Sequence, residues 1–130
     1  MKFSIIFVWI IRILAALIML QTLYFKFTAH PQSVHLFTLL GMEPWGRIGT
    51  GIFELIASIL ILYPRTTGIG AIIGVGLMSG AIFFHLTVLG IKFDGDYGLF
   101  IYALIAFVSC IFLAWIYRFQ LFRLLKLKFQ

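Results

Sequence analysis

Residues 68–90 read GIGAIIGVGLMSGAIFFHLTVLG, 23 residues without Asp, Glu, Lys or Arg. A helix rises about 1.5 Å per residue and crosses the ~30 Å hydrocarbon core of a bilayer in about 20 residues. This stretch is therefore long and apolar enough to span a membrane unaided. Three further segments share its character, 4–25, 45–63 and 97–117, and the four take up about two thirds of the 130-residue chain. The composition agrees. Hydrophobic residues make up 63% and charged residues 11%, where a soluble domain is about a quarter charged, and the mean hydropathy is +1.14. Ten bases and four acids are too few to cover a soluble surface, which excludes an ordinary cytosolic enzyme, and the apolar content excludes a disordered chain. The predicted fold is all-α: a transmembrane four-helix bundle, one domain over residues 1–130, with a short interfacial helix in the first outer loop and an amphipathic tail over 118–130. The first span is not read as a cleaved signal peptide, because it is long, contains Arg12 and lacks a small-x-small cleavage site.

The net charge of +6 is spread along the chain rather than gathered in a nucleic-acid patch. Most bases close apolar runs, as topology determinants do. Four spans put both termini on one side, with Lys2, Arg65, Arg118, Arg123, Lys126 and Lys128 and no acid. The other side carries Lys26, Arg47 and Lys92 with Glu43, Asp94 and Asp96. The positive-inside rule then predicts cytoplasmic termini in a bacterial inner membrane, with the two longer connections facing outward. In the first of these, Pro31 is placed to start a short helix and Gly41 to end it. Its apolar residues, Val34, Leu36, Phe37, Leu39 and Leu40, are expected on the bilayer surface or as a cap on the bundle. Asp94-Gly95-Asp96 reads as a turn and helix cap rather than a calcium loop. The tail from Arg118 is expected on an anionic inner leaflet.

Lipid supplies no hydrophobic drive between helices, so small residues are expected at the contacts. The third span offers Gly70, Gly74, Gly76 and Gly80 in two G-x-x-x-G steps; the fourth offers Ala103, Ala106, Cys110 and Ala114. Ionisable residues are harder to place there, since a charge in the bilayer core costs at least about 2.5–3.5 kcal/mol and normally has a partner. Arg12 and Glu54 are estimated to lie at similar depths, which makes a buried ion pair between them the plain structural expectation. By helical spacing Arg12 shares a face with Lys26, Arg47 with Glu54, and His85 with Ala81, Met78 and Gly74. These faces predict an outward polar pocket with Glu54 at its floor and Lys26, Arg47 and His85 nearer its mouth. Gln21 falls about 180° from Arg12 and outside part of it. The bland alternatives are snorkelling anchors for Lys26 and Arg47 and an interhelical hydrogen bond for His85.

The order of these features across the four spans resembles the DoxX family of small membrane proteins. The resemblance is carried by Arg12, Phe25-Lys26-Phe27, Glu54 in GIFELIASILIL, YPRTTGIGA, GLMSGAIFFHLTVLGI with His85, and DGDYGLFIYAL. It implies a redox-associated role, as a subunit or assembly component of a membrane oxidoreductase system. Cys110 is the sole cysteine, so no intramolecular thiol relay exists and a packing role is expected for it. Haem is disfavoured because His85 is the only histidine in a span, with His30 and His35 in the loop, and no ligand spacing supports a metal. No cofactor is evident apart from quinone. A quinone needs a donor at its carbonyl and a proton source. His85, Arg12 or Lys26, and Glu54 are of the right types, with Phe53, Phe83, Phe84 and Tyr102 available to flank a ring. Three function classes follow: an accessory subunit contacting a protein partner or a second copy of itself, a site for a lipid-soluble ligand, or transport of a small anion or proton. No spacing identifies catalytic residues.

Overall fold

The computed structural model describes residues 4–90 and 97–128, the last five by backbone alone. Among the described residues it is all-helical, with four helices long and apolar enough to cross a membrane. Lys2, Lys92, Asp94 and Asp96, the predicted Asp94-Gly95-Asp96 turn, and the side chains of Lys126 and Lys128 lie outside the described residues.

The first span is α1 (Ile5–Gln21) continued by α2 (Leu23–Phe27). At the junction Thr22 keeps helical angles, φ −80 and ψ −13, while its hydroxyl lies 3.0 Å from the Met19 carbonyl. Helix α3 (Pro31–Leu39) starts with Pro in its first turn, where no intrahelical bond is lost. The Gln32 N–H donates to His30 Nδ1 at 3.2 Å, and the chain leaves α3 through Gly41 at φ +72. Phe37 is buried, and α3 packs against α2, α4 and the far end of the third span. It therefore caps the bundle, the second of the two roles open to it from sequence. The remaining spans are α4 (Trp45–Leu62), α5 (Thr67–Phe84) prolonged by a π-helical turn (His85–Leu89), and α6 (Gly98–Ile116). Helix α7 (Arg118–Lys128) follows.

The four spans form a ring: α1 packs on α4 and α6, and α5 closes it between the same two. Small residues set the approach at its centre, with Ala15, Ala16, Ala57, Ala71, Ala106 and Cys110 all buried. At Gly70 a Cβ would stand 2.7 Å from the Ile61 nitrogen and 2.8 Å from the Ala57 carbonyl, so α4 and α5 touch backbone to backbone. At Gly74 it would stand 2.5 Å from Cys110 Sγ. The thiol thus packs into the groove that glycine leaves. Gly76 and Gly80 behave differently from the contact stripe expected of them: a Cβ at either would meet nothing within 4 Å. The bundle is tight where the first G-x-x-x-G step lies and open where the second lies.

The tight end is sealed by polar side chains. The last four carbonyls of a helix lack intrahelical partners, and lipid offers none. The turn after α4 satisfies them internally. Tyr63 N–H donates to the Ile59 carbonyl at 3.2 Å, Thr66 to that of Leu60 at 2.8 Å, and Thr67 to that of Ile61 at 3.0 Å. Arg12 donates to Ile61 through Nε at 2.9 Å and to Leu62 through Nη2 at 2.7 Å. Helix α7 adds Gln120, which accepts from Gly68 N–H at 2.8 Å and donates to the Pro64 carbonyl at 2.9 Å.

The two glycine pairs make a direct test. Gly70→Leu is expected to lower the unfolding free energy in a detergent titration by about 1–3 kcal/mol, the usual size of an overpacked contact. Gly76→Ala should be neutral or stabilising by up to about 1 kcal/mol through helix propensity.

Candidate functional site

Helix α4 buries Gly51, Glu54, Ala57, Ser58 and Ile61, a three- and four-residue spacing that turns Glu54 into the bundle. The carboxylate is met from the first span. Lys26 and Thr22, four residues apart, project from one face of that span. The Lys26 ammonium forms an ion pair with Glu54 Oε1 and donates to Thr22 Oγ1 at 3.3 Å. The Thr22 hydroxyl lies 3.1 Å from Glu54 Oε2, so its one proton serves either the carboxylate or the Met19 carbonyl. The Glu54 side chain is 4% exposed and that of Lys26 16%. Lys26 therefore turns inward to an acid and does not snorkel outward. Thr22 is absent from the sequence-predicted set. Its place four residues before Lys26 was the available signal.

Two predicted members belong elsewhere. Arg12 does not pair with Glu54. Its guanidinium binds the Ile61 and Leu62 carbonyls and lies over the Trp9 ring, 3.7 Å from the centroid. Those carbonyls are seven and eight residues along α4 from Glu54, about 11 Å deeper. The expected ion pair is thus replaced by a cation on the negative end of a helix dipole. Arg47 grips Glu43, with Nε 2.8 Å and 3.0 Å from the two carboxylate oxygens. It also donates through Nη1 to the Lys26 carbonyl. It holds the end of α2 in place rather than facing a pocket. The shared faces nevertheless hold: Arg12 and Lys26 both reach α4, and Arg47 and Glu54 both reach α2.

Lys26, Glu54 and His85 border one cavity of about 400 Å³ at the α3 end of the bundle, whereas Arg12 and Arg47 do not. Its wall is mainly apolar, with Met19, Phe37 and Met78 among the lining residues, and α3 with its C-cap covers part of it through Leu36 and Leu40. Gln21 lines it while Arg12 does not, in keeping with the roughly 180° between them on the first span. Phe84 and Tyr102 line it, while Phe53 and Phe83 are exposed on the apolar outer surface and do not. Gly76 and Gly80 contribute bare backbone to its wall. His85 is buried in the π-helical turn, with Nδ1 3.0 Å from the Gly90 carbonyl and its ring edge-on to Phe100 at 5.7 Å. His35 is exposed and does not border this cavity. π-Helical turns recur at functional positions.

The model of the DoxX-like family matches residues 10–113. The chain belongs to the DoxX-like family. No curated protein and no solved structure matches it. The match takes in the second and third spans and most of the first and fourth, so this DoxX-like protein is a membrane protein whose exposed apolar faces contact the lipid bilayer.

The separation of Arg12 from the cavity predicts separable effects. Arg12→Met should lower stability in mild detergent by about 3 kcal/mol, the scale of losing charged hydrogen bonds to buried carbonyls. Crosslinking between cysteines placed at Lys26 and Glu54 in this background should be unchanged below the new melting point.

Proposed function

We propose that this DoxX-like protein binds a neutral, lipid-soluble small molecule of the quinone type in the cavity at the α3 end. It would do so as a redox-associated component of a bacterial inner membrane, with both termini in the cytoplasm and α3 outward. The redox association rests on the family; the ligand reading rests on one observation. That observation is the Lys26–Glu54–Thr22 cluster on the wall of a mainly apolar cavity of about 400 Å³. Small-molecule sites have volumes of about 300–1,000 Å³, with apolar walls and a few placed polar groups.

Charge pairing narrows the ligand. The Lys26 charge is balanced by Glu54 and that of Arg47 by Glu43, while Arg12 is spent on carbonyls outside the cavity. A charge-balanced cavity suits a neutral guest, so these cations lend no support to anion transport. In this reading the Lys26 ammonium donates to a ligand carbonyl, and Glu54 holds that ammonium in place and offers a carboxylate for proton exchange. Thr22 orients the carboxylate. Phe84 and Tyr102 flank the ring.

Titration of the detergent-purified protein with a decyl-substituted benzoquinone tests the reading. Saturable one-to-one binding is expected, weakened about tenfold by Glu54→Gln, which frees the lysine from its fixed position. Gly80→Leu should weaken it by a similar factor while leaving the melting temperature unchanged, because the new side chain enters open cavity. Non-saturable partitioning that both variants reproduce would overturn the reading.

A further inference from the structure

His85 is a cavity-lining polar group that the Lys26–Glu54 cluster leaves unused. Its Nδ1 faces the Gly90 carbonyl at 3.0 Å. A carbonyl oxygen only accepts, so Nδ1 carries the proton, and in the neutral imidazole Nε2 is left with a lone pair. This arrangement depends on the backbone: Gly90 sits at φ +82 and ψ 157, a conformation open to glycine, at the end of the π-helical turn. Nε2 itself makes no hydrogen bond among the described residues. Yet no fully buried side-chain nitrogen or oxygen there lacks a partner. Nε2 therefore keeps accessible surface, and the residue, 4% exposed, borders the cavity.

With the imidazole neutral, Lys26 is a donor and His85 an acceptor, and the cavity then has a hydrogen-bond polarity. Helical Cα–Cβ bonds tilt toward the N-terminus. Glu54 on α4 therefore leans toward the α3 end, while His85 leans back toward the α7 end. The two groups converge along the cavity from opposite directions.

We propose that His85 Nε2 accepts a hydrogen bond from a hydroxyl of the bound ligand, so that the cavity holds a hydroxyl-bearing aromatic, a hydroquinone, in preference to the oxidised quinone. The proposal rests on the ligand reading above and makes His85 the residue that determines specificity within it. A quinone carbonyl brought to Nε2 places two lone pairs together; a hydroquinone hydroxyl supplies the missing proton. One hydrogen bond of this kind is expected to separate the two forms by about tenfold in Kd. For a two-electron couple a tenfold preference for the reduced form raises the potential of the bound couple by about 30 mV.

The experiment compares decyl-benzoquinol and decyl-benzoquinone, titrated anaerobically into the 130-residue protein in nanodiscs. The hydroquinone should bind about tenfold more tightly, and His85→Phe should abolish the difference between the two forms. His85→Gln, which presents either an acceptor or a donor, should bind both forms alike. Equal affinities for the two forms in the unmodified protein would overturn the proposal while leaving the ligand reading intact. Absence of saturable binding by either form would overturn both. The comparison in unmodified protein needs no variant to fold.

Discussion

A charge carried into hydrocarbon must bring its own counter-charge or its own hydrogen-bond acceptors, because nothing in the solvent supplies them. Arg12, Lys26, Arg47 and Glu54 answer this demand locally, and the answers organise the bundle. Lys26 takes Glu54, which ties the end of the first span to the middle of the second. Arg47 takes Glu43 and the Lys26 carbonyl, which ties the start of the second span back to the first. Arg12 takes the last carbonyls of α4. The first two spans are thus pinned to each other at three depths. Their register is set by these polar contacts as much as by the alanines between them.

The same pinning bears on why the cavity bordered by Lys26, Glu54 and His85 lies toward the α3 end. Where Gly70 and Gly74 let α4 and Cys110 close onto α5, no space remains. Toward the α3 end the glycines recur but no helix moves in, and Gly76 and Gly80 remain as bare wall. Helix α3 then lies over the opening, so the space is partly roofed by the connection itself. A tight end sealed by Arg12 and Gln120 and an open end lined by Lys26, Glu54 and His85 follow from one sequence of helical faces.

Much of this was legible in the chain. Uninterrupted apolar runs announce the four spans, and Pro31 and Gly41 mark α3 because each suits one end of a helix for its own steric reason. The charged residues worth attention were also visible, since charge is costly where Arg12, Lys26 and Glu54 stand. Their pairing was not. Depths counted from the ends of apolar runs put Arg12 level with Glu54. The first span in fact continues to Phe27, which sets Arg12 lower against α4 and brings Lys26 to the acid instead. Thr22 escaped notice because a hydroxyl in a span usually satisfies itself on its own helix. Glycine spacing shows where close approach is allowed, but whether a neighbour uses the allowance depends on tertiary packing, as Gly70 and Gly80 show. The π-helical turn that fixes the His85 ring has only Gly90 as a trace in sequence.

The central claim is that the polar cluster marks a ligand cavity rather than a structural pin alone. Photo-crosslinking with an azido-benzoquinone in native-like membranes, followed by peptide mapping, tests it most directly. Label confined to the cavity wall, on residues 76–85 or 19–26, and displaced by excess unlabelled decyl-benzoquinol is the expected result. Label spread over outward-facing residues such as Val108 and Ile111, and not displaced, would contradict it.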